Sequence, residues 1–177
     1  MAAGPDAALG LLRATGPLPA YREPLMLFGQ FVGTWEMDIR FYDEAGKLVF
    51  HGPGEWSFAW VLDGRAVQDV LVYADTADPV RTAAGERRIG TTLRYYDAGL
   101  DVWRMVWLGA TSGTFLNLTA RPRGEEIAIE GIDMDGSFLR WSFSEISPER
   151  FRWTGLTSKD QTHWRIEQEM EGRRRIA

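Results

Sequence analysis

From Thr34 onward the chain alternates polar and apolar residues with a period of two, and keeps that period almost to its end. In Thr34 to Tyr42, Trp35, Met37, Ile39 and Phe41 fall on one side of an extended chain while Glu36, Asp38 and Arg40 fall on the other. Asp43 to Gly46 reads as a turn. Lys47 to Val61 reads as the returning strand, bulged or bent at Gly52-Pro53-Gly54, where a proline between glycines interrupts a ladder. Leu62-Asp63-Gly64 turns into Arg65 to Ala74, and the polar, alanine-rich Asp75 to Gly85 is the longest connection, expected to be mobile. The second half predicts strands over Arg87 to Tyr96, Val102 to Gly109, Thr114 to Arg121, Glu126 to Ile132, Ser137 to Ile146, Arg150 to Ser158 and Thr162 to Glu171, joined by tight turns. About ten strands with no helix-length segment between them predict an antiparallel meander. Closing it removes the unpaired edges, so the fold class expected is all-β, a single up-and-down barrel.

The start of the chain differs. Met1 to Arg22 is rich in Ala, Gly and Pro and lacks the basic-then-apolar order of a secretory signal, which predicts a flexible tail over residues 1–22 and a cytoplasmic protein. Glu23 to Gly33 has a proline placed to start a short helix, apolar residues for one face and a glycine at its end, which predicts a lid or plug on a barrel domain spanning residues 23–177.

Strand phase suggests what the barrel encloses. One face each is assigned to Trp56, Phe58 and Trp60; to Trp103, Met105 and Trp107; to Leu139, Trp141 and Phe143; to Phe151 and Trp153; and to Trp164, Ile166, Gln168 and Met170, with His163, Arg165, Glu167 and Glu169 toward solvent. A barrel of about ten strands holds a cavity unless bulky residues fill it, so these faces form either an aromatic pocket or a packed core. Gln68, Asp69, Arg104, Asn117 and Gln168 interrupt otherwise apolar stretches. Those that face inward need a partner, a water or a ligand, because a buried unpaired polar group costs about 1–3 kcal/mol. At most half of them can face inward.

Composition narrows the functional classes. In 177 residues, 45% hydrophobic and 25% charged, no apolar run approaches membrane-spanning length, and the barrel is long enough to hold a core without disulfides. The absence of cysteine removes thiol nucleophiles and thiolate metal sites, and two histidines, His51 and His163, far apart in the chain, make no metal cluster. A net charge of −5 argues against nucleic acid as partner. Gly109 to Gly113 lacks the strand-to-helix context of a serine nucleophile, and Asp133-Met134-Asp135-Gly136 lacks the later ligands of a calcium loop and reads as a hairpin turn.

Gly33-Thr34-Trp35, opening the first strand after a short apolar helical segment, resembles the Gly-x-Trp signature of the lipocalins and the wider calycin superfamily. In that superfamily the tryptophan plugs the closed end of the barrel beneath an arginine from near the end of the last strand, a part open here to Arg165, Arg173, Arg174 or Arg175. Leu62-Asp63-Gly64-Arg65, Gly90 with Tyr95-Tyr96-Asp97, and Trp103 to Trp107 followed by Thr111-Ser112-Gly113 resemble a bacterial family of lipocalin-like domains of unknown function. The resemblance spans roughly Leu25 to Glu171. It implies a barrel with an internal cavity and supplies no catalytic residue, metal or cofactor.

The function expected is binding of a hydrophobic or aromatic small molecule inside the barrel. Trp56, Trp60, Trp107, Trp141, Trp153 and Trp164 would supply contact area, and Gln68, Tyr95 and Asn117 would orient the ligand. One alternative is a cofactor-free cyclase or isomerase using the same aromatic chamber. Another is a structural barrel without ligand, its apolar faces filled by its own side chains or by a second copy of the chain in a homodimer.

Overall fold

Ten strands run in chain order, each antiparallel to the next, and the last pairs with the first to close the sheet. They are β1 (Gly33–Tyr42), β2 (Leu48–Val61), β3 (Ala66–Ala74), β4 (Arg87–Asp97), β5 (Val102–Gly109), β6 (Thr114–Arg123), β7 (Glu126–Ile132), β8 (Phe138–Ser144), β9 (Arg150–Ser158) and β10 (Arg165–Arg174). A 3-10 turn, Pro19–Tyr21, leads into a helix, α1 (Arg22–Gly29). This computed structural model describes residues 12–74 and 86–176. The connection expected to be mobile, Asp75 to Gly85, lies outside the described residues, as does the first part of the expected tail. No helix among the described residues is long and apolar enough to cross a membrane.

The meander sets the two ends of the barrel apart. The β2–β3, β4–β5, β6–β7 and β8–β9 turns share one end with α1, and the β1–β2, β5–β6, β7–β8 and β9–β10 turns rim the other. At the α1 end, Leu25, Phe28 and Gly29 are buried, and Phe28 and Phe31 push aromatic rings between the strands. Phe28 meets Trp103 edge-on at 4.9 Å, Phe31 lies 4.7 Å from Phe143, and Trp35 meets Phe151 at 4.7 Å. Rings this size bury much area at little rotamer cost, and they fill the α1 end solidly. The segment ahead of α1 runs along the same end, where Ala14 N–H donates to the Trp60 carbonyl at 2.9 Å and Leu18 N–H to the Gly64 carbonyl at 3.0 Å.

The Gly-x-Trp element has a local cause. Trp35 is fully buried, and its Nε1 donates to the Phe31 carbonyl at 2.7 Å. Of the four arginines the resemblance left open, Arg174 covers it, with Nη1 donating to the Val32 carbonyl, Nη2 to Gln30 and Nε to Pro148. Gly33 adopts φ of 129°, which side-chain-bearing residues rarely take, and a Cβ there would stand 2.8 Å from Arg174 Nη1. Arg175 instead pairs with Glu55 and Glu36 on the outer surface.

Two expectations about strands need correcting. β2 passes through Gly52-Pro53-Gly54 without a bulge, since Ile39, Asp38 and Met37 pair with them in unbroken register. The β2–β3 ladder begins only at Gly54, so Pro53, which has no N–H, stands beyond it on that side. The shift between β1 and β2 comes later, between Phe41 and Tyr42. In β10 the register slips between Ile166 and Gln168, and this single-residue bulge reverses the side-chain phase partway along the strand. Gln168 and Met170 face inward as expected, whereas Ile166 is exposed and Glu167, expected to face solvent, reaches the inner mouth.

Candidate ligand-binding cavity

Above the aromatic plug the barrel is hollow. A cavity of about 290 Å³ opens toward the end opposite α1, at the lower edge of the size range of small-molecule sites. Trp56, Trp107, Trp141 and Trp153 wall it, with Met105, Leu116, Ile129 and Met170 between them, and Asp133, Glu167 and Ser112 stand among its mouth residues. The alternation on β5, β8 and β9 delivers these side chains inward, and glycine makes room for one indole. Gly90 lies under the Trp107 ring, where an added Cβ would come within 2.4 Å of it.

The expected site residues divide by strand face. Trp56, Trp107, Trp141 and Trp153 are brought together around the cavity. Trp60 points inward too, but at the α1 end, with its ring against Gly29, and does not reach the cavity. Trp164 precedes β10, where its Nε1 donates to the Gln161 carbonyl and Arg140 stacks on its ring at 4.1 Å. Gln68, Tyr95 and Asn117 are not lumen residues, because each lies one position out of phase with an inward neighbour. Gln68 donates to Thr91 Oγ1 beside inward Asp69, Tyr95 is exposed beside buried Arg94, and Asn117 is exposed between buried Leu116 and Leu118.

The polar groups that face inward include Asp69, Thr92, Arg94 and Gln168. Arg94 is 1% exposed and Asp69 1% exposed, and they form an ion pair through Arg94 Nη2 and Asp69 Oδ2. Asp69 Oδ1 accepts the Thr92 backbone N–H at 3.0 Å. The guanidinium also lies near two ring faces, 4.8 Å from Phe28 and 5.3 Å from Phe58, which places it on the plug as the floor of the cavity. Burial pulls the Arg94 pKa down from its ordinary value, and the Asp69 charge opposes that shift. Arg94 Nε and Nη1 have no hydrogen-bond partner, nor do the buried indole Nε1 atoms of Trp56 and Trp141. At the mouth, burial raises the Glu167 pKa; Arg165 lowers it, and Asp133 and Asp135 raise it further. Among the described residues, no three histidines or carboxylates converge as a metal cage.

Sequence reasoning missed Arg94, the one cation in the cavity lining among the described residues. Its signal was available in combination: Asp69 was already marked as an interruption of an apolar stretch, and an arginine of opposite charge stands on the neighbouring strand.

No protein-family model and no curated relative matches the chain. Among solved structures, it is similar to Rv2717c from M. tuberculosis, with 13% identity and a TM-score of 0.58 over 87% of this chain and 98% of that one. It is also similar to the S-type phycobiliprotein lyase CPES from Guillardia theta, with 9% identity and a TM-score of 0.41 over 86% of this chain and 92% of that one. The first likeness is one of fold. It agrees with the closed ten-strand antiparallel meander seen here.

Proposed function

We propose that the barrel binds one compact apolar molecule with aromatic rings, inserted from the open end and resting on a floor at Arg94, which itself lies on the rings of Phe28 and Phe58. The observation that carries this reading is the cavity of about 290 Å³ walled by four tryptophans above an aromatic plug. Interiors are normally packed to crystal-like density, so a void lined by large rings is a cost that a ligand recovers by restoring dispersion contacts and removing apolar surface from water. The fully packed alternative, a barrel filled by its own side chains, describes the α1 end and not the upper half.

The test is a titration of the intrinsic tryptophan fluorescence with naphthalene-class compounds, since Trp56, Trp107, Trp141 and Trp153 all line the cavity. Saturable quenching at one molecule per chain is expected, weakened at least tenfold in Leu116→Phe, which fills part of the cavity from β6. Unsaturable quenching, or equal affinity in both proteins, contradicts the reading.

A further inference from the structure

The cavity reads as a selector for a particular polarity. Four buried donor atoms among its lining residues lack acceptors: Arg94 Nε and Nη1, and the Nε1 atoms of Trp56 and Trp141. A buried donor left unmatched is costly, so the ligand that fits best brings acceptor oxygens to the floor and walls. An arginine in such a place ordinarily suggests an anion. Here the local charge argues otherwise.

The Arg94 charge is already matched. Asp69, equally buried, holds Nη2 through one carboxylate oxygen and is itself held by the Thr92 N–H through the other, so the pair carries no net charge. Adding a carboxylate would place an uncompensated negative charge in an apolar chamber, which burial penalises heavily. Among the described residues, the charged groups lining the mouth are Asp133 and Glu167, both acidic, with Arg165 near enough to offset part of that field. An incoming anion therefore meets carboxylates on entry and a neutralised pair at the bottom. A neutral acceptor meets neither difficulty, and its dipole is well matched to the two unpartnered nitrogens of the guanidinium, Nε and Nη1.

We propose that the ligand of this cavity is a neutral aromatic carbonyl compound, such as a ketone, quinone or lactone, whose carbonyl oxygen accepts from Arg94 Nη1 or Nε while its rings lie among the four tryptophans. This rests on the binding function proposed above and specifies its chemical class. Asp69 is then the specificity-determining residue: it keeps Arg94 a hydrogen-bond donor and prevents it from acting as an anion receptor.

Three probes of one shape separate the possibilities: ethylnaphthalene, acetylnaphthalene and naphthoate, substituted at the same ring position and titrated at pH 7.5 by calorimetry. Acetylnaphthalene is expected to bind about tenfold or more tighter than ethylnaphthalene, the worth of a hydrogen bond from a charged donor, and tighter than naphthoate. In Asp69→Asn the floor gains an unmatched positive charge, so naphthoate affinity should rise at least about tenfold while that of acetylnaphthalene changes less than threefold. Should Asp69→Asn fail to fold, the wild-type series decides alone. Naphthoate binding tightest to the wild type overturns the proposal, as does equal affinity for the ketone and the hydrocarbon, while both leave the binding function standing. If none of the three binds, the binding function itself is wrong and this inference falls with it.

Discussion

The guanidinium carbon of Arg174 lies 4.1 Å from the centre of the Trp35 ring, near the end of the last strand and over the first. Arg174 ties the end of β10 to the α1–β1 connection by donating to the carbonyls of Val32 and Gln30, so one side chain holds the seam of the barrel and the chain segment that plugs it. Arg174→Ala should cost about 2 kcal/mol in urea unfolding, from charge-assisted hydrogen bonds and the cation–π contact together. Arg174→Lys should recover no more than about half, because an ammonium cannot serve three carbonyls in a fork. A loss below about 0.5 kcal/mol for the alanine variant would show that the seam is held by the ladder alone.

The buried pair makes a sharper demand. Arg94→Met leaves the Asp69 carboxylate buried without its cation and should cost about 3–5 kcal/mol. Arg94→Met with Asp69→Leu removes both charges, and should lie within about 1 kcal/mol of the wild type if the cavity floor repacks. Additive losses in the double variant would mean that the two residues do not stabilise each other.

Gly90 sets the position of an indole. Gly90→Val puts side-chain atoms where the Trp107 ring now lies, within about 2.5 Å of its edge, and displaces the ring from its place in the cavity wall. The variant should remain folded, at a cost of about 1–3 kcal/mol for overpacking, and should bind naphthalene-class probes at least tenfold more weakly. Unchanged affinity would remove Trp107 from the binding wall.

At the mouth, the Glu167 pKa stands above its ordinary value of 4.5 because burial disfavours the carboxylate. A raised carboxyl favours the folded state while it is protonated, so this contribution is complete below about pH 4.5 and is lost as the pH rises through the folded-state value. Glu167→Gln should therefore flatten stability between about pH 4.5 and 7 and raise it at pH 7 by less than about 1 kcal/mol, since the group is partly solvated. Thermal melts across that pH range read the difference. A variant less stable than wild type at pH 7 would contradict this reading.

Strand number, barrel closure and the plug were legible because period-two alternation on β1 and β8 is uninterrupted, and because Gly33-Thr34-Trp35 marks the point where helix gives way to sheet. Polar site residues were not legible, for a physical reason. On β4 the outward positions Ile89 and Leu93 are apolar while inward Thr92 and Arg94 are polar, so hydrophobicity assigns the wrong face. The outer wall continues this inversion with exposed Val70, Leu108 and Phe115, so Gln68 and Asn117 stood out as polar intrusions although they lie on a mixed outer surface. The correct phase comes from the cross-strand partners, since Arg94 pairs with Val67 and Met105, both buried. The β10 bulge was equally hidden, because one inserted residue changes no composition and reverses every face beyond it.

The most direct test of the hollow upper barrel is a nuclear Overhauser experiment on methyl-labelled protein with bound acetylnaphthalene. Cross-peaks from the ring protons to Leu71, Met105, Leu116 and Met170, which line the cavity, are expected, with none to the exposed methyls of Val70, Leu108 and Met134. Cross-peaks confined to those outer methyls would place the molecule on the barrel wall and contradict the account.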